Sequence, residues 1–215
     1  MSHIDNTTVN RSHLTMLTTA AILATPLAQA HHMMGGKTPD TFMQGLLSGI
    51  AHPVIGVDHF AFLVVAALLA FTLKGSARYL VPLAFVGATV AGTLYHVGAQ
   101  DLPMTEVMVA LSVLLGGVAV FLKRSVPALL MGALFGVIGV FHGYAYGESI
   151  VGAEQTPLVS YLLGFAMVQY LVIAGGTKAM QLLAARSTRV QDLATRSGAA
   201  FATITGGVFL AMNLA

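Results

Sequence analysis

His52-Pro53-Val54-Ile55-Gly56-Val57-Asp58-His59 places two imidazoles and a carboxylate inside an apolar stretch long enough to cross a bilayer. Ionisable side chains at that depth are costly, and they mark functional sites. The same eight residues contain Pro53 and Gly56, which kink or open a helix. Backbone opened at membrane depth must be buried in protein or line a wet cavity, because lipid offers its N–H and C=O groups no partner. The stretch therefore predicts a first membrane helix kinked or broken near Pro53 and Gly56, with a polar site at the break. Positions 52 and 59 are seven apart and return to one face of a continuous helix, with Asp58 beside them. An opened helix would instead let the three side chains converge differently and add carbonyl oxygens.

Composition agrees with a membrane setting. The 215 residues are 56% hydrophobic and 8% charged, with a mean hydropathy of +0.82, whereas soluble domains carry about a quarter charged residues. Apolar blocks at 43–73, 78–97, 104–122, 126–146, 157–177 and 197–214 are separated by short polar loops, and most approach the roughly 20 residues of a spanning helix. The fold expected is all-α: a polytopic bundle of six transmembrane helices over 43–215. Gly116-Gly117, Gly132, Gly136 and Gly139 suit helices in close approach. No internal repeat is visible, so an inverted-repeat transporter is not supported. The absence of cysteine removes disulfides, thiolate zinc sites and cysteine nucleophiles together.

The amino terminus reads as an export signal over residues 1–30. Arg11 and His13 precede the apolar run Leu14 to Leu27, and Ala28-Gln29-Ala30 is a small-x-small cleavage site. An uncleaved first helix is the alternative. Cleavage after Ala30 would start the mature chain at His31-His32, and a free terminal amine beside an imidazole chelates divalent ions. Residues 31–42 are thus expected to form a periplasmic metal-capturing segment, the alternative being an inert tail. An exported terminus places Lys74, Arg78, Lys123, Arg124, Lys178, Arg186, Arg189 and Arg196 on the cytoplasmic side and only Lys37 outside, as the positive-inside rule requires. The expectation is an inner-membrane protein with both mature termini periplasmic. The pI near 9.1 reflects this orientation, and no nucleic acid is implied.

In this topology all six histidines of the mature chain fall in the outer half, and Glu106 and Glu148 sit at outer helix ends. Acidic loops would attract a cation and imidazoles would capture it. Nitrogen and oxygen ligands suit nickel, cobalt, zinc or oxidised copper, and Met33 and Met34 keep copper in play. Asp58 is either a ligand or an acceptor that orients an imidazole. Glu106 and Glu148 are either ligands or solvated loop charges. His96 and His142 each have a bland reading as hydrogen-bonded core imidazoles, and a second reading as axial ligands of a haem. No nucleotide-binding loop and no His-Glu-x-x-His helix is present, which argues against an ATP-driven pump and against a metalloprotease.

The chain resembles the HupE/UreJ family of bacterial nickel and cobalt permeases. The likeness runs through the histidine start after the signal, His52-Pro53 with Gly56 and Asp58-His59, Leu102-Pro103 with Glu106 and Ser112, and Phe141-His142-Gly143-Tyr144-Ala145-Tyr146-Gly147-Glu148, to the stretch from Tyr161 to Phe165. The His-Pro-x-x-Gly-x-Asp-His signature is its most specific part. The resemblance implies a permease, not an enzyme, with a divalent transition metal as substrate and no organic cofactor. His52, Asp58 and His59 would handle the metal, with His31, His32, Glu106, His142 and Glu148 contributing. The alternative is a periplasm-facing sensor, storage or metal-delivery protein that binds without transporting. Expected partners are the bilayer and the ion, with a second copy of the chain or metalloenzyme maturation proteins as further candidates. Two departures bear on metal choice: many relatives have histidines where this chain has Tyr146 and near the position of Ile173.

Overall fold

A computed structural model describes residues 37–123 and 125–215 of the protein. The expected signal peptide, and His31 and His32 with it, lie outside the described residues. Among those described, all regular structure is helical: α1 Phe42–Ile55, α2 Val57–Thr72, α3 Ala77–Val97, α4 Thr105–Phe121, α5 Ala128–Gly147, α6 Gln155–Arg186 and α7 Thr188–Leu214.

Helix α1 starts on a reciprocal cap. Thr41 Oγ1 accepts the Gln44 N–H (3.2 Å) while Gln44 Oε1 accepts the Asp40 N–H (2.9 Å), which satisfies two donors that would otherwise be orphaned. Thirteen residues on, α1 stops at Ile55, and the axis turns by 74° into α2 at Gly56. Gly56 belongs to both helices: its N–H donates to the His52 carbonyl (3.0 Å) and its carbonyl accepts the Phe60 N–H (2.8 Å). The hinge residue therefore keeps both backbone hydrogen bonds, the condition for a break away from water.

The chain advances along α6 in one direction through this turn. Gly45 packs on the Pro157 carbonyl and Gly49 on the Tyr161 carbonyl, and past the bend the Ala67 carbonyl accepts from Thr177 Oγ1 (3.1 Å). A re-entrant hairpin would reverse that order, so the bent pair behaves as one broken span.

Three packed pairs, α1 with α6, α3 with α5 and α4 with α7, surround α2. Ala61, Phe62, Leu63, Val65, Ala66 and Ala70 of α2 are all buried, as expected of a helix that is apolar all round. Missing side chains allow the close approaches: a Cβ on Gly143 would run into the Thr89 carbonyl, and one on Gly206 into the Leu114 backbone. Outward faces are apolar, with Leu129, Leu134, Val137, Leu163 and Leu171 exposed, while His52, Asp58, His59, His142 and Gln169 are buried. That inside-out distribution suits a bundle surrounded by lipid. At the end carrying the α2–α3, α4–α5 and α6–α7 connections, Asp192 pairs with Lys123 (2.9 Å) and Arg196 (2.7 Å).

The observed spans refine the expected six. Four helices are long and apolar enough to cross a membrane, and the α1–α2 pair makes a fifth. Helix α4, expected as the third span, has 17 residues and measures about 25 Å at 1.5 Å per residue, a little under a hydrocarbon core of about 30 Å. Its ends nevertheless reach opposite ends of the bundle, since Glu106 shares a pocket with Glu148 and Lys123 pairs with Asp192. Helix α6 runs to Arg186 rather than stopping near 177, and α7 begins at Thr188 rather than 197. Hydropathy marks where the bilayer ends, whereas Lys178 to Arg186 are good helix formers with no breaker among them.

Gly143→Ala should separate α3 from α5 and destabilise the protein by about 1–3 kcal/mol, the usual cost of overpacking. Gly136→Ala meets nothing within 4 Å and should be neutral or mildly stabilising. Thermal unfolding in detergent, followed by circular dichroism, compares the two.

Candidate metal centre

The break brings together residues from four helices. His52 comes from the last turn of α1, Asp58 and His59 from the first turn of α2, His142 and Tyr146 from α5, and Tyr161 from α6. All are buried, with His52 at 5% and His59 at 3% exposure the most open of the imidazoles. Because α1 and α2 are separate helices, His52 and His59 do not share a helical face as the seven-residue spacing suggested. They meet across the bend, with ring centroids 5.6 Å apart and planes at 56°. Gly56 makes room for this: a Cβ there would stand 2.8 Å from His59 Cδ2.

Hydrogen bonds assign the tautomers. Ser112 Oγ donates to the Val109 carbonyl (2.7 Å), so its oxygen accepts from His142 Nε2 (3.0 Å). His142 then carries its proton on Nε2, and its Nδ1 accepts from His59 Nδ1 (3.0 Å). That leaves the lone pair of His59 on Nε2. On the other side of the bend, the Tyr161 hydroxyl donates to the Tyr146 carbonyl (2.8 Å), so His52 Nδ1 donates to Tyr161 Oη (3.0 Å), with Ser149 Oγ also at 2.9 Å. His52 likewise keeps its lone pair on Nε2. His52 and His59 thus each have Nδ1 anchored to the protein, which fixes Nε2 as the unprotonated nitrogen of the ring.

The expected ligand set is assembled only in part. Among the described residues no three His, Asp or Glu side chains are gathered closely enough to hold an ion together. Asp58 Oδ1 accepts the backbone N–H of its neighbour His59 (2.9 Å) at the start of α2, where a carboxylate is favoured by the helix dipole. It stands beside the imidazoles without forming a cage with them. His142 has both ring nitrogens engaged, so it supports His59 and cannot serve as placed as an axial haem ligand. His96 lies elsewhere, with Nδ1 on the Tyr144 carbonyl (2.7 Å) and its ring stacked on Tyr144 at 4.0 Å; the bland reading holds for it. Glu106 and Glu148 line one pocket of about 270 Å³ with Thr105 and Tyr144, and Asp58 lies within electrostatic range of Glu106. Glu106 and Glu148 therefore form an acidic vestibule within electrostatic range of Asp58.

Hydroxyl groups were the less legible part. Ser149 carried no spacing signal, and the roles of Ser112 and Tyr161 as acceptors for imidazoles depend on helix contacts that only the fold supplies. Tyr146 packs against both rings at the break, at 4.4 Å from His59 and 5.1 Å from His52, and its hydroxyl has no hydrogen-bond partner among the described residues. A buried phenol without a partner is costly, and this one lies beside both imidazoles that meet at the break.

Similarity to known proteins agrees with this geometry. The family model described as HupE / UreJ protein matches residues 19–210. The chain belongs to the HupE/UreJ family. Protein HupE of Rhizobium leguminosarum bv. viciae is 33% identical over 149 residues, covering 69% of this chain and 73% of that protein. No solved structure matches. HupE/UreJ proteins are transporters and not enzymes, and this member is a multi-pass membrane protein.

Tyr161→Phe removes one of the two oxygens, Ser149 Oγ being the other, that hold His52 Nδ1. Losses of this kind lower metal affinity about 10- to 100-fold, and titration of the purified variant with cobalt, followed by its visible absorption, should show a shift of that size.

Proposed function

We propose that this HupE/UreJ protein is a permease that carries nickel or cobalt from the periplasm toward the cytoplasm. The observation that carries the reading is the pair His52 and His59, two buried imidazoles that meet across a helix break, each held through Nδ1 by a protein hydrogen bond. Nitrogen donors of this kind suit nickel and cobalt better than magnesium or calcium. His31 and His32 capture the ion, the Glu106 and Glu148 vestibule concentrates it, and the centre formed by His52, His59 and the neighbouring Asp58 receives it. His142 holds His59 in the binding tautomer. Inward release follows a shift of the α1–α2 hinge, and protons competing for the imidazoles favour it.

The topology that fits this direction has six crossings, with α1–α2 as one broken span and α4 as a short one. Both mature termini face the periplasm, and the connections rich in Lys and Arg face the cytoplasm. The lack of native cysteine makes this directly measurable. A single cysteine at Thr38 should react with an impermeant maleimide on intact spheroplasts, whereas one at Ser76 or Ser187 should react only after lysis.

Liposomes containing the full chain should accumulate nickel or cobalt saturably, and His52→Ala should reduce uptake to the level of empty vesicles. Tight binding without flux would instead assign the chain to the metal-delivery alternative, and uptake undiminished in a well-inserted His52→Ala protein would overturn the site.

A further inference from the structure

Gln169 is fully buried in α6, and neither its Oε1 nor its Nε2 has a hydrogen-bond partner among the described residues. A primary amide in that state loses its hydration without replacement, so an apolar residue of similar size would be the more stable choice if packing were its only task. Its position is informative. Tyr161, Phe165, Gln169, Ile173 and Thr177 follow one another at four-residue intervals along α6, and all five are fully buried. The first of them fixes the His52 imidazole, and the second packs on Tyr146 at 5.4 Å. The last bonds to the Ala67 carbonyl on α2. Gln169 therefore stands about 12 Å inward of Tyr161 and about 12 Å short of Thr177, at 1.5 Å per residue.

The space behind His142 is filled by aromatic rings. His142 is backed by Phe62 at 4.6 Å and Phe85 at 5.4 Å, and Phe135 closes on both phenylalanines. The α6 ridge is the side on which a polar group with unmet valences continues from the centre.

We propose that Gln169 is a second, weaker station for the transported ion, reached after the histidine centre, with its Oε1 offered to the metal and its amide hydrogens to the ion's remaining water. The inference rests on the permease reading and names the inward path within it. A neutral carbonyl oxygen is a poorer ligand for nickel or cobalt than imidazole, and a site on a conduction path must hold an ion loosely enough to release it.

Gln169→Met removes the amide at nearly constant volume. With the full chain in liposomes, the variant should bind cobalt at the histidine centre with wild-type affinity and unfold at or above the wild-type temperature. Its nickel and cobalt uptake should nevertheless be slower by about tenfold, the effect of losing one modest interaction from the rate-limiting passage. Gln169→Glu, which keeps an oxygen donor, should transport faster than the methionine variant. Wild-type uptake by Gln169→Met would overturn the proposal, as would joint loss of cobalt binding and thermal stability, which marks a structural role. If the wild-type protein itself moved no metal, the permease reading would fall, and this inference with it.

Discussion

A hydrocarbon interior supplies no hydrogen bonds, so each polar group placed there must be satisfied by the protein or left for something the protein carries. This constraint organises the structure around Gly56. A 74° turn between α1 and α2 would ordinarily orphan backbone groups, yet Gly56 closes one hydrogen bond backward to His52 and one forward from Phe60. The neighbours then follow from the turn. Helix α6 runs beside both halves of the broken span, and α5 contributes the imidazole that meets His59. The buried, apolar α2 holds the second half of the span in place. Pro53 sits in the last turn of α1, where the helix ends anyway.

Side chains at the turn obey the same constraint with a few exceptions. Ser112, His142 and His59 form one hydrogen-bonded chain, and Tyr146, Tyr161 and His52, with Ser149 beside it, form another. Each chain includes one of the two imidazoles that meet across the break. The Tyr146 hydroxyl and the Gln169 amide have no partner among the described residues. In a well-packed interior such groups are few, and here both flank the break or its inward continuation. A transporter has reason to keep them, since a fully satisfied interior would offer a passing cation nothing in exchange for its water.

Much of this was legible in the residues. Hydropathy located the helices, because lipid selects apolar surface wherever it touches, and Pro53 with Gly56 announced the broken span. The signature His52 to His59 marked the imidazoles that meet at the break. Spacing alone could not give the geometry at the break, since the seven-residue interval assumes a continuous helix that Gly56 interrupts. Nor could spacing give the partners of each side chain: His142 meets Ser112 with one ring nitrogen and His59 with the other. Asp58 could be read as a ligand or as an orienting acceptor, and one of its oxygens accepts the His59 N–H at the start of α2. Helix ends were misjudged at α6 and α7 because the chain stays helical after its charges leave the bilayer. Gln169 gave no signal, as a single amide in an apolar block is indistinguishable from one that finds a partner.

The central claim is that His52 and His59 bind the same ion across the break. X-ray absorption at the nickel edge, on the full chain loaded with one equivalent of nickel, measures this directly. The account predicts imidazole scattering from the bound metal that loses one histidine's contribution in His52→Ala and one in His59→Ala. Spectra unchanged in both variants, or a first shell of oxygen alone in the wild-type protein, would contradict it.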